Sequence, residues 1–269
     1  MVAIFWRTIK DRLTSLIIFV VIGAFLVWLY ASMFPGIQSQ GAKLQELMDA
    51  YPPELMKAFG IESPGLAFSK FENFLAMEQY SFTWPILVIS LLVGWGGAAI
   101  AGEVEKGTIE LLLSQPISRT KIFFGKYLSG LFALAVFVLV SVYIAVPLAA
   151  AYGFDYSLSN YHKMALVGFL FGWSILSLAM FASTLFAEKG RVYFVSISII
   201  LGMYVLNLVA NLKDNFGDLK YFSFFHYFDA NAALMDNRVD SLTLLVFGST
   251  IILFTALGGL CFAKRDIST

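Results

Sequence analysis

The chain has 269 residues, 59% of them hydrophobic and only 13% charged, with 18 Lys and Arg balancing 18 Asp and Glu. Soluble domains run nearer about 45–50% apolar and about 25% charged. One Cys and two His exclude a disulfide scaffold and leave little material for a metal site, and zero net charge excludes a strongly basic nucleic-acid binder. The composition is that of a polytopic membrane protein.

Residues 1–14 come first. Val2, Phe5, Trp6, Ile9, Leu13 and Leu16 recur at near-helical spacing, with Arg7, Lys10 and Asp11 elsewhere. This pattern fits an amphipathic helix lying on a membrane surface. It fits equally well a basic flank that anchors the span behind it. A cleaved signal peptide is not expected, because the following apolar run is too long and no small-residue cleavage site follows it.

Six stretches then contain no Asp, Glu, Lys or Arg: 15–34, 82–101, 127–151, 164–187, 192–211 and 241–263. About 20 helical residues at ~1.5 Å rise cross a ~30 Å hydrocarbon core. A charge at mid-span costs roughly 2.5–3.5 kcal/mol, which accounts for the exclusion. Lipid offers no partner to the backbone, so the spans are helices. The apolar runs are continuous rather than alternating, which excludes a barrel. The expected fold is all-α, a single transmembrane domain of six spans.

Between spans one and two, 38–59 has apolar residues at helix-like intervals around Pro52 and Pro53, and two short surface helices are expected there. Pro147 is expected to kink the third span. Spans four and five are joined by Glu188, Lys189, Gly190 and Arg191 alone, a tight hairpin. Gly94, Gly96 and Gly97, with Gly168 and Gly172, mark close helix contacts. Segment 212–240 carries five Asp and the run from Tyr221 to Phe228. That run is expected at a headgroup boundary or in a short re-entrant helix.

With six spans both termini share a side. Placing them inside gives eleven Lys and Arg against six acids on the inner segments, and seven against twelve on the outer. The positive-inside rule therefore puts both termini in the cytoplasm, in a cell membrane.

The most ordered polar segment is 102–126, GEVEKGTIELLLSQPISRTKIFFGK. Gly107 breaks the chain leaving span two, and Thr108 is a suitable N-cap. Residues 109–115 read as two helical turns carrying Leu111 and Leu112, halted by Pro116. Ser118 then caps the helix that leads Arg119, Lys121 and Lys126 into span three. A short apolar helix results, rimmed by Glu103, Glu105 and Glu110 on one side and by bases on the other. It suits a protein contact or a loop helix folded back on the bilayer.

The pattern E-x-E-x-G-T-x-E-x-L-L-x-x-P-x-S-R, followed by Gly125-Lys126, resembles the permease subunits of ATP-binding-cassette exporters of the type-two architecture. Six spans, a basic N-terminal helix, a long first outer segment and the tail Lys264-Arg265-Asp266 are similar too, with weaker echoes at residues 51–54 and 59–60. The resemblance implies a transmembrane subunit with no catalytic residues, coupled to a separate nucleotide-binding ATPase that holds ATP and Mg. It also implies a second permease copy or a related permease. Carried over by position, Glu103, Glu105, Gly107, Thr108, Glu110, Leu111, Leu112, Pro116 and Arg119 form the element that docks on that ATPase. Phe5, Trp6, Arg7 and Lys10 of the N-terminal helix would be a secondary contact.

Gly125-Lys126 is not a phosphate-binding loop, since Thr120 stands where a Gly is needed and Tyr127 where a Ser or Thr is needed. A non-transporting assembly or sensor subunit working with an ABC ATPase is the main alternative. A secondary transporter would need ionisable groups inside its spans, and these spans have none. A membrane enzyme would need a catalytic set, and Glu103 and Glu105, two residues apart, do not face each other on a helix.

Overall fold

The computed structural model describes residues 1–40, 68–212 and 214–265. The short helices expected within 38–59 and the motifs at residues 51–54 and 59–60 lie essentially outside this range. Among the described residues the chain is helical throughout, with no strand. Six helical stretches are long and apolar enough to cross a membrane: Val2–Ser39, Phe71–Gly97, Arg119–Tyr152, Leu158–Leu185, Lys189–Leu212 and Ser241–Lys264.

The first is one unbroken helix, α1 (Val2–Ser39), of 38 residues. No boundary separates residues 1–14 from the span, because no breaker lies between them. At ~1.5 Å per residue it runs to about 57 Å, well beyond a ~30 Å hydrocarbon core. Its first turns pack on another helix through Ile4, Thr8 and Ile9, while Val2, Trp6 and Leu13 are exposed. The apolar face read from the sequence is thus split between protein contact and open surface.

The second stretch starts earlier than its charge-free core. Helix α2 (Phe71–Leu75) passes into an eight-residue π-helix (Ala76–Thr83) and then α3 (Trp84–Gly97). Ser81 and Thr83 hydroxyls donate to the carbonyls of Ala76 and Glu78, five residues back, filling the acceptors that the wide turns expose. Glu72 is buried here because its carboxylate has partners. It accepts from Ser157 N at 2.8 Å and Asn160 Nδ2 at 3.2 Å.

After α3 come α4 (Ala101–Glu105), α5 (Ile109–Leu113) and α6 (Arg119–Tyr143). A break at Ile144 separates α6 from α7 (Ala145–Tyr152). Pro147 explains it, since its ring clashes with the carbonyl of Tyr143, four residues back. Helices α8 (Leu158–Leu185) and α9 (Lys189–Leu212) follow, joined by three residues. A 3-10 helix (Asp214–Phe222), α10 (Phe224–Tyr227), α11 (Ala230–Leu234) and α12 (Ser241–Lys264) complete the described chain.

Helix α8 is the centre of the bundle and packs on α3, α6, α9, α11 and α12. Glycines set how close these helices come. A Cβ on Gly96 would lie 2.6 Å from Ala179 Cβ, and one on Gly168 2.9 Å from the Trp84 ring. Gly172 presses on Leu134 in the same way. Gly94 has no such neighbour and serves through its carbonyl instead, as described below. Indole N–H groups are satisfied across helices: Trp84 Nε1 donates to Ser141 Oγ at 2.9 Å and Trp95 Nε1 to Ser129 Oγ at 3.1 Å.

The aromatic run after α9 is not a simple surface anchor. Phe224, Tyr227 and Phe228 are buried, and Phe228 stacks on Trp84 with centroids 5.5 Å apart. Only Tyr221 and Phe222 stay well exposed. The segment bends back into the bundle because Phe224, Tyr227 and Phe228 find apolar partners there.

Gly96→Ala is expected to lower the melting temperature of the detergent-purified protein, because overpacking costs about 1–3 kcal/mol. Gly94→Ala should leave it unchanged. Equal melting curves for both variants would contradict the close α3–α8 contact.

Candidate functional site

Both described ends of the chain, residues 98–126 and the α8–α9 hairpin gather at one end of the bundle, here termed the terminal face. Its geometry begins at the break after α3. Ile100 and Ala101 present N–H groups that α3 cannot satisfy, and Ser183 Oγ on α8 accepts both, at 3.1 and 3.0 Å. Helix α4 is thereby tied to α8 before it projects outward.

A buried lysine holds the same segment to α6. Lys126 is 3% exposed, and its Nζ lies 2.6 Å from Glu103 Oε1. The Thr108 hydroxyl donates to the other oxygen, Glu103 Oε2. Partial burial pushes the Glu103 carboxyl up, but the Lys126 charge and the hydrogen bonds from Lys126 and Thr108 outweigh it and hold the group below the usual carboxylate range. Thr108 occupies the N-cap position of α5 without capping it, because its hydroxyl is spent on Glu103. Glu105 reaches sideways and accepts from Lys189 N at 2.8 Å. A carboxylate at a helix N-terminus is favourable, and this one binds α4 to the start of α9.

These contacts engage part of the expected docking rim within the protein itself. Glu103 faces into the protein, and Glu105, though exposed, is hydrogen-bonded to α9. Arg119 is part-buried and is also bonded within the protein. Its guanidinium donates to the Arg265 carbonyl, and Arg265 Nη1 in turn donates to the carbonyls of Thr184 at 2.7 Å and Phe186 at 3.0 Å. That pair of arginines satisfies the end of α8 and ties the start of α6 to the end of α12.

What faces outward is narrower. Gly107, with φ of +68°, takes the left-handed turn that only Gly makes without strain. Helix α5 then lies with Ile109 at 0% and Leu112 at 4% exposure against the core. Each such burial stabilises by about 1.5–3 kcal/mol. One position round the helix, Leu111 is 68% exposed. Glu110, Ser114, Gln115 and Pro116 share that exposed surface. Leu112 is therefore an internal anchor and Leu111 an external knob. Helix α5 ends at Leu113, before Gln115, which Pro116 biases away from helix. Ser118 caps α6, with its Oγ accepting from Lys121 N at 3.4 Å.

The four residues singled out on the N-terminal helix are not part of this knob. Phe5 is half-buried, edge-on to Phe132 at 5.9 Å. Trp6, Arg7 and Lys10 are exposed. Sequence reasoning missed Ser183 and Arg265, whose roles need the folded chain. Lys126 did carry a signal: a lysine at the mouth of an apolar span, with acids a loop away.

Nearly the whole chain, residues 2–267, matches the family model described as "ABC-2 family transporter protein". The chain belongs to the ABC-2 transporter family. It is 26% identical over 208 residues to "Uncharacterized membrane protein YdbK" of Bacillus subtilis, covering 73% of this chain and 84% of that one. It is 28% identical over 201 residues to "ABC transporter permease protein NatB" of the same organism, covering 67% of this chain but 52% of that longer protein. Family membership and the six apolar helices make it a multi-pass membrane subunit of the ABC-permease kind, distinct from the ATPase subunit. Among the described residues no cluster of His, Cys, Asp or Glu is placed to hold a metal.

The lowered Glu103 carboxyl fixes the sign of a pH effect. Its stabilisation is complete above the ordinary carboxylate range and is lost as pH falls through the lowered value. Glu103→Gln should therefore melt below the parent at pH 7, since it strands a buried charge. The gap should close on acidification. A gap that is constant with pH would sink the ion-pair account.

Proposed function

We propose that the chain is the permease half of an ABC exporter. The outward face of α5 docks in a separate ABC ATPase, which binds ATP and Mg. The observation that carries this reading is Leu111, 68% exposed on a helix whose other apolar residues are committed to the core. An apolar side chain held out on a rigid, braced turn and rimmed by polar residues is a protein-contact feature.

Force from the ATPase has a physical route inward. Helix α5 is joined to α4, α4 to α8 through Ser183, and the same segment to α6 through Glu103 and Lys126. A push on Leu111 therefore reaches two membrane helices, α8 and α6. The terminal face is cytoplasmic in this reading, on the strength of the Lys and Arg distribution.

Helices α1, α9 and α12 expose apolar side chains along their length, Phe25, Phe194, Leu245 and Ile252 among them. Lipid and a second permease, of this chain or a related one, would cover these faces. An uncharged, aromatic lining suits amphipathic, lipid-like or peptide cargo.

Leu111→Asp should abolish capture of the co-expressed ABC ATPase and its permease-dependent stimulation, with the melting temperature preserved. Undiminished capture and stimulation would defeat the docking assignment. In a Cys261→Ala background, a cysteine at Ser39 should label from outside intact cells and one at Ser118 should not. The reverse pattern would invert the topology.

A further inference from the structure

A cavity of about 410 Å3 opens at the terminal face beside α4. Its wall carries five basic side chains, Arg7, Arg12, Lys106, Lys126 and Lys189, against two acids, Asp11 and Glu103. They come from four separate parts of the chain: α1, the α4–α5 segment, α6 and α9. The acids are already engaged. Asp11 lies 3.8 Å from Arg7, and Glu103 lies 2.6 Å from Lys126.

Arg12 donates to the Gly94 carbonyl at 2.8 Å and lies over the Trp95 ring at 5.6 Å. Neither of these two partners is a carboxylate, so they aim the guanidinium without pairing its charge; Tyr193, Asp11 and Glu103 lie nearby. Among the described residues neither Lys106 nor Lys189 has a carboxylate at ion-pair distance. A concave, part-buried site with one sign of charge in surplus focuses field and gathers counter-ions.

We propose that this cavity binds a phosphate group of an anionic ligand, and that the headgroup of an inner-leaflet phospholipid supplies it. A planar guanidinium and several ammonium groups converging on one space match phosphate oxygens. The volume falls in the range of small-ligand sites. Its depth favours lipid: Ser15, where the first apolar run starts, lines it, and Trp95 flanks it. Placement at the inner leaflet rests on the topology proposed above. A phosphate there bridges α1, the turn before α5 and the start of α9. It braces the segment that carries Leu111.

The test uses the permease alone, purified in detergent, so it is independent of ATPase docking. Native mass spectrometry counts retained phosphatidylglycerol against phosphatidylcholine, and thermal shift is read with glycerol 1-phosphate. Wild type should retain phosphatidylglycerol selectively. Arg12→Gln and, on the exposed turn where folding is not at stake, Lys106→Gln should each cut that retention about tenfold, the worth of one charge-assisted hydrogen bond. Lys220→Gln, away from the cavity, should not. Stabilisation by glycerol 1-phosphate that is lost in the same variants, without lipid retention, supports the phosphate site and assigns it to a soluble ligand. Retention in both cavity variants equal to wild type, or no response to either probe, overturns the proposal. Leu111→Asp should retain the lipid, and the cysteine labelling reports separately on the topology.

Discussion

Lys126 brings a positive charge to the mouth of an otherwise apolar helix, and the protein has to neutralise it. A buried ammonium without a partner would cost several kcal/mol. Glu103 meets that demand, and the terminal face is arranged around the meeting. The carboxylate draws α4 against α6 and takes the Thr108 hydroxyl as its second ligand. Gly107 then turns the chain, and α5 seats Ile109 and Leu112 on the core. Leu111 points outward because the other apolar positions of α5 are already fixed.

Deeper in the bundle the constraint changes. Hydrocarbon gives helices no hydrophobic reason to associate, so close packing and hydrogen bonds between helices do it instead. Gly96, Gly168 and Gly172 let α3, α6 and α8 approach. Ser141 and Ser129 receive the indole donors of Trp84 and Trp95. Tyr127 joins Ser177, Thr255 and Trp173 in one hydroxyl-centred cluster spanning α6, α8 and α12. These links make a rigid centre of α8. The α4–α5 segment is bonded to that centre, so a load applied at Leu111 is transmitted into the bundle.

The charge-free stretches made the six spans legible, because exclusion of charge from hydrocarbon acts on each residue separately. The early start of the second span was hidden. Glu72 reads as a loop residue until Ser157 and Asn160, far along the chain, supply its hydrogen bonds. The continuity of α1 was hidden for a different reason: an amphipathic segment and the foot of a long helix have the same periodicity. In the motif, residue order identified the element but not which way each side chain turns. Leu111 and Leu112 are equivalent in sequence and opposite in exposure. Glu103 and Arg119 read as a charged rim, yet their partners lie 23 and 146 residues away. Tertiary pairing of that kind leaves no local pattern.

In the proposed coupling, Leu111 touches the ATPase. A photoreactive residue placed at position 111 and activated in intact membranes tests it directly. Position 222, equally exposed in Phe222, serves as the comparison. A covalent adduct with the ABC ATPase is expected from position 111 and none from position 222. Adducts with lipid alone from position 111 would contradict it and return α5 to the bilayer surface.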